Sequence, residues 1–166
     1  MVLGNNHLPK VPIYSFIIRS RTGKLLHFNF VTSLLNDLFG IQVRGGCSCA
    51  AIYGQKILGI DLHKSREYKQ ALFLGQELMR MGFNRFGIPY WFTDEEIDFV
   101  LKAIEFVAQY GWMFLPNYTF DVHKGEWLSR YFKEHKHRIW LGSIDYGNGN
   151  FDSEHLLALR EEKSFH

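Results

Sequence analysis

Cysteine is nearly absent from this chain, which has only Cys47 and Cys49, one residue apart. That excludes a small secreted scaffold stapled by disulfides. Charge of one sign is lacking too. Nineteen Lys and Arg are scattered among seventeen Asp and Glu, for a formal net charge of +2. No stripe of basic residues interleaved with aromatics marks a nucleic-acid surface. The longest basic stretch, Lys133 to Arg138, includes Glu134 and two histidines and reads as a solvated surface. No run approaches the ~18 apolar residues of a membrane span. Met1 to Lys10 contains Asn-Asn and a proline and lacks the apolar stretch of a signal peptide. The expectation is a soluble, cytoplasmic protein with neither a nucleic-acid nor a membrane partner.

Of the 166 residues, 46% are hydrophobic and 16% aromatic, too apolar a composition for a disordered chain. The length suits one domain with an extension and can bury a core without a structural metal. Neither an internal repeat nor a low-complexity tract is present.

The apolar pattern alternates between strand and helix. Pro12 to Ser20 is a β-branched and aromatic run without clean alternation, as in a strand covered on both faces. From Asn29, the residues Phe30, Val31, Leu34, Leu35 and Leu38 fall on one helical face, and Gly40 supplies a stop. Ile41 to Val43 then predicts a short strand entering a loop at Arg44-Gly45-Gly46. Ala50 to Leu58 predicts a short helix closed by Gly59. Ser65 predicts the cap of a helix to about Met81, with Gly75 as a weak point inside it. Arg85 to Phe92 predicts a strand that Pro89 confines to an edge or a bulge. Thr93 and Glu96 form a capping box, followed by a stripe from Ile97 to Ala108 and a stop at Gly111. The order predicts an α/β fold, a small two-layer domain with helices packed on a short mixed sheet. A boundary near Pro116 divides residues 1–115 from an aromatic-rich extension, 116–166, expected to pack on them.

The segment Gly40 to Ala50, GIQVRGGCSCA, carries the most chemistry. Two glycines between a strand and a cysteine pair permit unusual backbone geometry and the close approach of a ligand. A cation at Arg44 favours the thiolate of a nearby cysteine, which is the setting of a nucleophilic thiol. A tight turn with two half-buried cysteines, acting as small hydrophobes, fits the same residues.

Here the chain resembles a known family. Arg44-x-Gly46-x-x-Cys49-Ala50 is similar to the R-x-G-x-x-C-A loop of the cysteine desulfurases and selenocysteine lyases, within the class V aminotransferases. Downstream, Arg85 to Glu96 (RFGIPYWFTDEE) resembles that family's R-x-S-x-x-x-Y-N-T-x-E-E. The resemblance runs from about Ile13 to Trp112. It implies the C-terminal small domain of a fold type I pyridoxal-phosphate enzyme. In that setting Cys49 is the mobile catalytic cysteine, Cys47 an accessory thiol, and Ser48 stands where the best-studied members have histidine. Arg85 grips the substrate carboxylate, a task suited to a planar fork of donors, and Arg44 joins it in substrate binding. The implied substrate is a small amino acid, and the implied partner is the large cofactor-binding domain of the same enzyme.

That large domain holds the family's Schiff-base lysine and the acidic partner of the pyridinium nitrogen. His63-Lys64 superficially matches the family's His-Lys, but it follows the cysteine loop and leads into Ser65-Arg66-Glu67, so Lys64 reads as an exposed lysine at a helix start. His123-Lys124 reads as part of a turn. His123, His135 and His137 lack a carboxylate or cysteine at metal spacing, and Trp112, Trp127 and Trp140 read as packing residues. No cofactor and no metal are expected in the isolated chain, which is expected to be catalytically incompetent. Two alternatives remain open. One is an interaction module, homo-oligomeric or bound to another protein, that covers the surface the large domain would bury. The other is a thiol-redox protein using Cys47 and Cys49.

Overall fold

The computed structural model describes residues 1–4, 9, 11–46 and 51–131. A helix, α1 (Phe28–Phe39), lies at its centre. Phe28, Phe30, Val31, Leu34 and Leu35 are buried along one face, the spacing expected of an amphipathic helix. The His27 side chain caps the start by accepting the Asn29 N–H. Gly40 ends the helix at φ 67°. There the Gly40 N–H bonds the Asn36 carbonyl and the Ile41 N–H bonds the Leu35 carbonyl, the left-handed closure that glycine favours.

Three strands form the sheet: β1 (Ile13–Phe16), β2 (Arg44–Gly46) and β3 (Phe83–Gly87). Their order is β1-β3-β2, and both pairings are antiparallel. The described residues thus form a small two-layer α/β domain whose sheet is antiparallel where mixed directions were expected. Between β2 and β3 run α2 (Ala51–Ile57) and α3 (Leu62–Phe73), and after β3 comes α4 (Asp94–Tyr110). Phe16, Ile18, Leu26, Phe30, Val31, Leu34, Leu35, Val43, Ala103 and Val107 make one core where β1, α1 and α4 meet.

The capping box is present in full: the Glu96 N–H donates to Thr93 Oγ1 at 3.3 Å, and the Thr93 N–H donates to Glu96 Oε2 at 2.8 Å. Several boundaries differ from expectation. β2 begins where the strand over Ile41–Val43 was to end, because the Ile41 N–H closes α1 and Val43 turns into the core. Asp61, not Ser65, caps α3, accepting the Lys64 N–H at 2.8 Å. Gly75, at φ 75°, follows the end of α3 well short of Met81. β3 is the central strand, and Pro89 lies beyond its end, so its missing N–H disturbs no ladder. Gly111 ends α4 as expected, though not by a left-handed turn. It stays right-handed (φ −55°) and leads into a 3-10 turn, Gly111–Asn117. A Cβ there would lie 3.0 Å from Val107 Cγ1 and 3.2 Å from Leu34 Cδ2, so close packing selects the glycine.

A hairpin of β4 (Tyr118–Asp121) and β5 (Glu126–Ser129) covers α1. Tyr118 and Trp127 sit against Phe30, with ring centroids 5.2 and 5.0 Å away. Ser33 Oγ donates to the Trp127 carbonyl and Asn29 Nδ2 to the Gly125 carbonyl. Tyr118 donates to Asp37 Oδ2 at 2.7 Å. Burial, and then that bond to a carboxylate, push the Tyr118 phenol well above its ordinary pKa. One compact unit therefore runs from Met1 through this hairpin to Tyr131. The rest of the expected extension, with His135, His137 and Trp140, lies outside the described residues. No helix among the described residues is long and apolar enough to cross a membrane.

Candidate functional site

The two arginines singled out in the sequence meet. Arg44 on β2 and Arg85 on β3 are direct Cα partners, and Ser15 on β1 is the partner of Arg85 on its other side. Directly opposed residues of an antiparallel sheet project to the same face. Ser15, Arg85 and Arg44 therefore form one row across all three strands.

The other face of the sheet explains why this row points outward. Tyr14, Phe16, Asn84, Phe86 and Gly45 alternate with it, and this second face packs on α1 at Asn84 and Gly45 and looks onto α4 at Tyr14 and Phe86. Asn84 is 1% exposed. Its Nδ2 donates to the Phe28 carbonyl at 2.9 Å and to Thr32 Oγ1 at 3.0 Å. A buried amide must be satisfied in this way, and the two bonds fix β3, and with it the direction of Arg85, against the first turn of α1. Gly45 does the same for β2. A Cβ there would come within 2.8 Å of Thr32 Oγ1 and 3.0 Å of Phe28 Cδ2. Its missing side chain thus admits the helix, whereas the sequence suggested the approach of a ligand. Gly46, at φ 118°, takes the backbone geometry that the pair of glycines was expected to permit.

The arginine face is covered at one end and open at the other. Phe83, the partner of Gly46, is buried with Leu3 and Ile17 against Ile57, the last residue of α2, and Leu58, which follows it. At the open end Ile13 is exposed. Arg44 is exposed and Arg85 half-buried. Among the described residues neither has an ion-pair partner; the ion pairs there are His63–Glu67, Arg80–Glu77 and Lys102–Asp98. Such a row can accept an anion with two guanidinium forks and a hydroxyl. Cys47 and Cys49, like Ser48, lie outside the described residues.

The described residues do not form a seat for pyridoxal phosphate. Lys24, Lys56, Lys64, Lys69, Lys102 and Lys124 are all exposed, whereas a Schiff-base lysine needs a site that holds the cofactor ring. Lys64 borders a cavity of about 380 Å3 together with His27, Tyr68 and Arg80, but among the described residues no Asp or Glu lines it to partner a pyridinium nitrogen. His63 pairs with Glu67 on the surface of α3, and His123 Nδ1 bonds the Gly75 carbonyl. Among the described residues no three His, Cys, Asp or Glu side chains converge on a metal position.

One residue that the sequence did not single out, Asn84, organises the site. Asn84 carries a legible signal, a polar residue in phase with Phe86 on the helix-facing side of a strand. No family model, no curated protein and no solved structure matches the chain.

Proposed function

We propose that this chain supplies the substrate-gripping half of an active site, as the small domain of a pyridoxal-phosphate enzyme similar to the class V aminotransferases and cysteine desulfurases. The observation that carries the reading is the register of Arg44 with Arg85. These residues anchor two separate motifs of the resemblance, and they are neighbours on one open face. A carboxylate set over that face takes a bidentate grip from Arg85, whose half-buried position limits its motion and its competition with water. Arg44 and the Ser15 hydroxyl add donors on either side.

The cofactor, which supplies electron withdrawal from the substrate Cα when bound, belongs on this reading to a second domain. That domain would face the arginine row. The exposed Ile13, Tyr90 and Trp91 at and beyond the same end of the sheet are the apolar contacts such a domain would bury. Cys49 follows Gly46 closely in the chain and is the thiol that the reading assigns to sulfur transfer.

Titration of the full chain with L-alanine, followed by NMR, tests the grip. Saturable shifts are expected at Ser15, Arg44 and Arg85. Arg85→Gln is expected to weaken the binding at least about tenfold, the scale of a charge-assisted pair. Arg85→Lys is expected to restore it only in part, because an ammonium cannot grip two oxygens in one plane. Unmoved resonances, or equal binding by Arg85→Gln, would overturn the assignment.

A further inference from the structure

We infer that the row of Ser15, Arg85 and Arg44 selects a doubly anionic substrate, an amino acid whose side chain carries a second acidic group. The inference deepens the function proposed above and rests on it. Arg44 and Arg85 are opposed Cα partners, so their side chains leave the sheet from points about 4.5–5.5 Å apart. Like charges set opposite one another destabilise a sheet. Among the described residues no carboxylate offsets them, since the ion pairs there use Glu67, Glu77 and Asp98 on other surfaces.

One carboxylate occupies the fork of one guanidinium. A monoanionic amino acid therefore satisfies half of the row and leaves the second cation facing the first. A dianion satisfies both. The difference in exposure assigns the ends: half-buried Arg85, on the central strand with Ser15 beside it on β1, takes the α-carboxylate. Exposed Arg44, on the edge strand, takes the side-chain acid. If instead the two guanidinium groups shared a single carboxylate, one oxygen each, a second acid would add nothing, and this is the outcome the test must separate.

The experiment compares L-alanine, L-aspartate, L-glutamate and sulfate as probes of the full chain. Ionic strength is held constant, because exposed charges are screened by salt. The expected result is that aspartate or glutamate binds at least about tenfold more tightly than alanine, the scale of one further charge-assisted contact. In Arg44→Gln that preference is expected to collapse to about unity. Equal affinity for alanine and both acidic amino acids in the unaltered chain overturns the inference and leaves the proposed function standing. So does a preference that persists in Arg44→Gln. Sulfate displacing aspartate on equal terms also overturns it, since the row would then answer to charge alone. Failure of every amino acid to bind overturns both the inference and the function it rests on.

Discussion

His27 joins three parts of the molecule through one ring. Its Nε2 lies 3.0 Å from the Leu78 carbonyl, which can only accept, so Nε2 carries the proton. Nδ1 is then the acceptor for the Asn29 N–H and for Trp127 Nε1, each at 3.2 Å. Protonation of Nδ1 would remove both bonds. Burial lowers the His27 pKa below its ordinary 6.5, and the bond to Leu78 offsets this only in part. The folded state thus favours the neutral ring, and the unfolded chain binds the proton more readily. Stability from His27 is full above about pH 6.5 and declines as pH falls through the lower folded value. Asp61 and Asp121, whose backbone bonds lower their pKa values from 3.8, act only in the more acidic carboxylate range. The thermal midpoint is therefore expected to fall between pH 7 and pH 5. That fall should be absent in His27→Asn, which keeps an N-cap acceptor but does not titrate. Parallel pH profiles for the two proteins would show that His27 is not the cause.

At the scale of elements, the local signals were the legible ones. The capping box of α4 and the left-handed close of α1 at Gly40 depend on neighbours in sequence, and both stand where the residues put them. β2 was misplaced because its pairing is a tertiary matter. Ile41–Val43 looks like a strand, but it serves the end of α1 and the core, while Arg44–Gly46 pairs with β3 despite its glycines. The contact that permits this is Gly45 against Thr32 and Phe28, and nothing within GIQVRGG announces it. The opposition of Arg44 and Arg85 was hidden for the same reason: each motif was visible, but register between distant segments is set by packing. Gly45→Ala is accordingly expected to lower stability by about 1–3 kcal/mol, the usual cost of overpacking a filled site. Urea denaturation measures it, and an unchanged or raised midpoint would mean that α1 yields to the added methyl without cost.

For the whole molecule, the α/β class was legible from alternating strand and helix patterns, and the hairpin's place on α1 was not. Nothing in Tyr118-Thr119-Phe120 specifies that Phe30 lies beneath it. On the proposed reading, the cofactor would be held by another domain. Pyridoxal phosphate added to the chain is expected to react weakly with exposed lysines, giving a visible absorbance that no single lysine substitution removes. Loss of the band on changing one lysine would place the cofactor here instead. β2 is three residues long and begins with a cation facing another cation, so the apo sheet carries an internal repulsion at its edge. An anion seated between the arginines turns that repulsion into a tie between two strands. On the proposed reading, substrate then acts as mortar: its concentration would set the heat tolerance of the fold, through RT ln(1 + [L]/Kd), as well as the occupancy of the site.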